Sequence, residues 1–237
     1  MLLKFLQSVA PKLGVATTKS MVESILSTNF KNEPLELLEL GCGRDSVVFG
    51  TKTQVKYTGF EIFEDYAIEI HKKISSSRNP NITYHKIVNE DFLRYNFKEK
   101  SYDIVIMIDV LEHLTKSDGH LVLETIESIA RKAIIIKTPN GFVHQNEFDG
   151  NSHQAHLSGW DEHDFISRSY KVYGMSGLKF LRKSVHCDQW EDDLSLTMRF
   201  KPKQFWLLVA GISQLIVKKV PRICYELLAV KTFSKSD

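Results

Sequence analysis

Cysteine is scarce in this sequence: Cys42, Cys187 and Cys224 are the only three in 237 residues. An odd set argues against a disulfide framework, and none of the three has the paired spacing of a thiolate metal site, so the expected compartment is the reducing cytoplasm. Excess charge is nearly missing too. Lys and Arg number 31 against 29 Asp and Glu, a formal net charge of +2, which gives no general attraction to nucleic acid or an anionic membrane. No basic, aromatic-interleaved surface points to a nucleic-acid partner either. A membrane-length apolar run is also absent. Phe205–Val217, FWLLVAGISQLIV, spans 13 residues, whereas a bilayer crossing takes about 20. The opening MLLKFLQSVAPKL has two lysines, short apolar stretches and no small-residue cleavage site, so it reads as a helical arm and not a leader. With no repeat, low-complexity tract or clear linker, one domain over 1–237 is expected, its arm covering 1–33.

What the chain does contain is an alternation. Strand-like runs at Leu35–Leu40, Val55–Glu61, Ile82–Val88, Tyr102–Asp109 and Ala133–Lys137 are mostly followed by stretches of helical character, such as FEDYAIEIHKKI and LEHLTKSDGHLVLETIESIARK. Continuous β-branched runs such as IVIMI and AIII suit parallel strands covered by helices on both faces. The pattern predicts a doubly wound α/β domain with right-handed crossovers and a cofactor-binding core over 34–140. In such sheets ligands sit beyond the carboxyl ends of the strands, so the residues just after each strand carry the information.

The first of these ends reads ELGCG. Gly41 permits a sharp turn out of the strand, and Gly43 lets the backbone approach a ligand with no Cβ in the way. Glu61 lies 20 residues beyond Gly41, at the end of the second strand, where an acid can accept both hydroxyls of a ribose. The third glycine of a dinucleotide turn is absent, since Ser46 occupies that position. This favours a nucleoside ligand without a pyrophosphate. After the third strand, Asp91 and Phe92 can meet the edge and face of an adenine. The fourth strand ends in Asp109-Val110-Leu111-Glu112-His113-Leu114.

Taken together, ELGCG (39–43), GFE (59–61), EDF (90–92) and DVLEHL (109–114) resemble the class I S-adenosylmethionine-dependent methyltransferases, in their order and roughly their spacing. The resemblance is good over about 30–140 and looser elsewhere. It implies a Rossmann-like, mostly parallel seven-stranded sheet whose last strand is antiparallel, a role CYELLAVKT (224–232) can fill. It implies S-adenosylmethionine as cofactor, with Glu39, Gly41, Cys42 and Gly43 lining its methionine end, and Glu61 on the ribose. Ile62 would lie against the adenine, Asp91 and Phe92 would address its edge and face, and Asp109, Val110 and Leu111 would pass beneath the cofactor. An apolar helical insertion over 185–220 departs from the minimal fold.

Methyl transfer from a sulfonium needs alignment more than acid–base machinery, and a base only where the acceptor must lose a proton. His113 can serve as that base, its unperturbed pKa lying near about 6.5. The loop and helix over 141–170 form the expected acceptor side, with His156 as the other candidate catalytic residue and His153, Ser158 and Trp160 as candidate acceptor contacts. His153 and His156 have no local third ligand, so no metal is expected. Cys42 reads as a small filler and not a nucleophile. The expected acceptor is an oxygen or nitrogen of a small molecule, glycan or lipid-linked compound. The 205–217 helix should pack on the domain or a second subunit, the alternative being peripheral membrane contact. Two other functions were weighed: a nicotinamide-dependent oxidoreductase, which Ser46, EDF and DVLEHL disfavour, and a non-catalytic cofactor-binding partner subunit.

Overall fold

The computed structural model describes residues 17–30, 34–77, 79–183 and 194–233. Most of the expected N-terminal arm, the start of the 185–220 insertion and Cys187 lie outside the described residues.

The elements follow the predicted alternation. Helix α1 (Thr18–Asn29) leads into β1 (Leu35–Leu40), β2 (Val55–Phe60), α2 (Glu64–Ser76), β3 (Ile82–Val88) and β4 (Tyr102–Ile108). Then come α3 (Lys116–Ile129), β5 (Ala130–Pro139), the short α4 (Glu162–Ile166), β6 (Lys171–Leu178), α5 (Lys203–Val217) and β7 (Cys224–Thr232). The seven strands form one sheet in the order β3-β2-β1-β4-β5-β7-β6. β1 runs parallel to β2 and β4, and β2 parallel to β3. The sheet is mostly parallel, Rossmann-like, with antiparallel strands at the end of the chain. Leu35, Leu37, Leu38 and Leu40 of β1 and Ile104–Met107 of β4 are fully buried, as strands covered on both faces must be.

The start of β5 differs from the sequence expectation. Residues 130–132, expected to continue a helix, begin β5 instead. Arg131 explains the change, because its guanidinium donates to Asp103 at 3.0 Å and to Glu36 at 2.8 Å. Those acids stand on β4 and β1, so a charged tripeptide is drawn into the sheet by paired charges and not by hydrophobicity. Asp103 also accepts from the backbone N–H of Glu36 at 3.0 Å.

By contact density the described chain groups into two compact units where one domain was expected. One comprises Leu111–Thr115 and Lys137–Ala229. The other comprises Thr18–Val110, Lys116–Ile136 and the chain from Val230. In the first unit, α5 packs on β6 through buried Ala210, Ser213, Gln214 and Val217. The Ser213 hydroxyl accepts from the Leu178 amide at 3.0 Å and the Gln214 side-chain oxygen from the Gly177 amide at 3.1 Å. Helix side chains thereby serve backbone donors of the sheet's last strand. This is the expected packing of the apolar segment on the fold, although Phe205, Leu208, Ile212, Leu215 and Ile216 stay exposed on its other side.

The turn after β1 is tight for a stated reason. Gly41 has φ +66°, and a Cβ there would lie 2.5 Å from Cγ2 of Val110. Gly41→Ala should therefore destabilise the protein by about 1–3 kcal/mol, from left-handed strain plus overpacking. Urea unfolding that shows no loss would mean that Val110 yields freely.

Candidate functional site

In the unit containing β1, the site is built around two carboxylates. Glu39, at the end of β1, is 2% exposed and accepts from the Tyr57 hydroxyl at 2.6 Å and from the Ser46 hydroxyl. Ser46 in turn accepts from the Val48 amide at 3.1 Å. Burial outweighs these hydrogen bonds and raises the Glu39 pKa to about 7. Glu39 thus organises the turn from within, and the absence of a third glycine at Ser46 has a structural cause: the position supplies a hydroxyl to a buried acid.

Glu61 is the second carboxylate, 6% exposed. Its Oε2 accepts from the Gly43 amide at 2.8 Å and its Oε1 from the Phe63 amide at 2.9 Å. Gly43 has φ +58° and open space where a Cβ would stand. Asn89 completes this corner, donating to the carbonyls of Glu61 at 2.8 Å and Ile62 at 3.0 Å. Ile62 itself is 36% exposed, an apolar surface beside the acid. The Cys42 thiol is buried, and that burial, with Glu39 and Glu61 nearby, pushes its pKa far up. A thiol so suppressed is a filler.

After β3, the Asp91 side chain accepts from the Leu93 amide at 3.0 Å and pairs with Arg94 at 3.4 Å. Any adenine contact would have to share it. Phe92 lines a hollow of about 160 Å³ with Leu93, Tyr95, Phe97 and Leu121. Asp109 is exposed at φ +55° and Val110 is buried against Gly41.

In the other unit, the DVLEHL segment continues as a single 3-10 turn, Leu111–His113. Leu111 is fully buried, and its carbonyl accepts from the Ser158 hydroxyl at 3.1 Å and the Trp160 indole at 3.2 Å. The Glu112 carbonyl accepts from the Leu157 and Ser158 amides at 2.7 and 3.1 Å, and its carboxylate from the Thr138 hydroxyl at 2.9 Å. Ser158 and Trp160, expected to touch an acceptor, are 6% and 0% exposed. Their side chains pin the loop to the 3-10 turn. His153 is exposed, its backbone N–H held by Asn151 at 3.0 Å.

His113 and His156, 43 positions apart, meet edge to face with ring centroids 4.8 Å apart. His113 Nδ1 bonds the Ala155 carbonyl at 3.2 Å, and His156 Nδ1 bonds the Val143 carbonyl at 2.6 Å. A carbonyl only accepts, so each Nδ1 carries the proton and each Nε2 the lone pair. Burial lowers the His113 pKa below its usual 6.5. One ligand atom from each of Glu112, His113 and His156 lies within 4.8 Å of the others. Sequence reasoning paired His153 with His156 and found no third ligand. The structure leaves His153 out and brings His113 and Glu112 in, a set with the donor chemistry of a divalent-cation site. Glu112, Asn89 and Tyr57 had no role assigned from sequence, and only Glu112, inside DVLEHL, lay in a segment already marked.

Comparison with known proteins adds the following. A family model described as a methyltransferase domain matches residues 18–170. No curated protein matches the sequence. Among solved structures the chain is similar to a magnesium protoporphyrin IX methyltransferase from Synechocystis PCC 6803 with bound SAH, at TM-score 0.52 and 15% identity over 92% of this chain and 82% of that one. It is similar to the plantazolicin methyltransferase BpumL in complex with SAH, at TM-score 0.51 and 15% identity over 97% and 86%. It is also similar to the methyltransferase domain of bacterial CtHen1, at TM-score 0.51 and 16% identity over 95% and 98%. At such identities the likeness shows the fold.

Glu39 makes a prediction of its own. A carboxyl raised from 4.5 to about 7 in the folded state binds its proton more tightly there than in the unfolded chain. Its contribution to stability is full below about pH 4.5 and is lost as the pH rises to about 7. Glu39→Gln should flatten that part of the stability–pH curve, measured by urea unfolding at a series of pH values. An unchanged slope would place the titration elsewhere.

Proposed function

The chain belongs to the methyltransferase-domain family, whose model covers 18–170 of its 237 residues, and on that premise we propose that it methylates an oxygen or nitrogen of a small-molecule, glycan-like or lipid-linked acceptor. The reaction is methyl transfer with S-adenosylmethionine as donor. Glu61 is the observation that carries the donor site: one buried carboxylate at the end of β2 holds the turn at Gly43 and the start of α2, with open space over Gly43. In this reading Glu61 turns from backbone amides to the ribose hydroxyls, Ile62 backs the adenine, and Asp91 and Phe92 bound it. Gly41, Cys42 and Gly43 line the methionine end, with Glu39 supporting them from the interior. Asp109 and Val110 pass beneath the donor and run directly into Leu111–His113.

The chemistry is an in-line displacement. The acceptor's lone pair forms the new bond to the methyl carbon while the carbon–sulfur bond breaks, leaving S-adenosylhomocysteine. Alignment supplies most of the acceleration. The acceptor's proton passes to Nε2 of His113, which is neutral near pH 7 because burial lowers its pKa and whose lone pair is fixed by the Nδ1–H bond to Ala155. His156, oriented by Val143, stands beside it. A second reading of the cluster is favoured by the convergence of Glu112, His113 and His156 within 4.8 Å. A divalent cation held there would lower the pKa of an acceptor hydroxyl. Chelation followed by Mn²⁺ add-back separates the two readings. The acceptors named for similar structures, a porphyrin and a peptide-derived compound among them, are too diverse to transfer. Cysteine usage supports a cytoplasmic setting, and among the described residues no helix is long and apolar enough to cross a membrane.

Gly43→Val should weaken S-adenosylhomocysteine binding by roughly a hundredfold or more, read by calorimetry. Unchanged affinity would remove the turn from the site. His113→Gln should leave that affinity intact while lowering kcat by about 10² or more. In the unmodified protein, activity should rise with pH through a midpoint below 6.5, as required of a base that works deprotonated. A midpoint above 6.5 would exclude His113.

A further inference from the structure

A cavity of about 450 Å³ lies wholly within the Lys137–Ala229 part of the chain, and no role has yet been given to it. Five cations line it, Lys179, Arg182, Lys183, Arg199 and Arg222, and among the described residues no carboxylate does. Its remaining wall is apolar and aromatic: Phe142 and Phe180, each 56% exposed, with Val143, Ile223 and Tyr225. Two of the cations are fixed in place. Lys179 donates to the Asn140 carbonyl. Arg182 lies over the Tyr225 ring at 4.9 Å, with Nε on the Ser176 carbonyl at 3.0 Å and Nη1 on the Thr197 hydroxyl at 2.7 Å. Among the described residues, Lys183, Arg199 and Arg222 make no ion pair.

Glu226 acts on Arg182 from the interior, but the like charges that remain around one concavity repel one another, and a bound anion would relieve that repulsion. Guanidinium forks match the tetrahedral oxygens of a phosphoryl group. The aromatic and aliphatic wall fits an apolar body joined to that group, and the volume lies in the range of small-molecule sites. A single concavity of about 450 Å³ suits one phosphoryl group with its attachment better than a polynucleotide, which requires an extended groove.

The cavity also borders the histidine cluster. Val143 lines it, and the Val143 carbonyl is the group that orients His156. On its other side, Leu181, between Lys179 and Arg182, packs against Ala210 of α5. The outer face of that helix exposes Phe205, Leu208, Ile212 and Leu215.

From these placements we infer that the cavity binds a phosphoryl group carrying an apolar substituent. The phosphoryl compound is either a soluble phosphate ester or a lipid phosphate presented at a membrane surface. Both have the same recognition chemistry.

The test is binding, independent of turnover. Geranyl monophosphate should bind the full chain, geraniol should bind at least roughly tenfold more weakly, and the affinity should fall as salt rises. The double variant Arg199→Ala/Arg222→Ala should lose roughly tenfold or more in geranyl monophosphate affinity, with Arg222→Lys intermediate because charge is kept and the fork is lost. S-adenosylhomocysteine binding by the same variants reports that they are folded and leaves the donor site out of the comparison. Sedimentation with phosphatidylcholine vesicles, with and without phosphatidic acid, distinguishes the sources: association only with phosphatidic acid assigns the lipid, and none assigns the soluble ester. Equal binding of geraniol and its phosphate would overturn the proposal. So would unaltered affinity in the double variant, or capture of a single-stranded oligonucleotide in place of geranyl monophosphate.

Discussion

The loop after β1 depends on a carboxylate that water does not reach. Glu39 sits at the end of a strand of leucines, and its charge is tolerable only because Tyr57 and Ser46 donate to it. Each hydrogen bond to such a group is worth about 1.5–3 kcal/mol, so the acid dictates where those two residues stand. Tyr57 brings β2 against β1, and Ser46 fixes the descent of the turn, which leaves Gly41 pressed on Val110 and Gly43 facing open space. The Glu61 carboxylate then closes the loop from the next strand by accepting from Gly43. Two acids at the ends of adjacent strands therefore do different work: Glu39 shapes the turn from inside, and Glu61 joins it to the start of the next helix through the Gly43 and Phe63 amides.

The unit built on β6 and α5 shows a parallel economy in its loop. Residues 141–160 are long and polar and contain only isolated bridges and one 3-10 turn, yet their final stretch, 157–160, is held by main-chain carbonyls of Leu111 and Glu112. The buried indole of Trp160 is the largest of these anchors. Because the loop is pinned there, His156 returns to His113 and its ring is fixed by Val143. Backbone carbonyls orient both rings, whereas the reduced basicity of His113 comes from its burial.

Much of the architecture could be read from the amino-acid order because buried parallel strands leave an unambiguous trace. Leu35–Leu40, Ile82–Val88 and Cys224–Thr232 were placed to the residue, and α5 nearly so. Local patterning failed where paired charge overrode it: nothing in Ala130-Arg131-Lys132 announces that Glu36 and Asp103 wait on neighbouring strands. The candidate donor residues stood out because each follows a strand, a position that sequence makes visible. The acceptor side did not. A tryptophan in a polar loop looks like a contact surface until its exposure is known, and a histidine pair separated by 43 residues has no spacing to recognise.

Net charge misled for a related reason. A balance of +2 excludes a uniformly basic surface, but it is a sum, and sums are blind to segregation. Lys179, Arg182 and Lys183 lie within five positions of one another, Arg199 and Arg222 far along the chain, with acids in between. Folding gathers the five around one cavity, and among the described residues no carboxylate lines it. Affinity for an anion is set by the field at that wall and by the guanidinium geometry there, and both fall off within a Debye length of about 8–10 Å. A nearly neutral protein can therefore hold a strongly cationic site, and the same neutrality keeps the rest of its surface from competing for the anion.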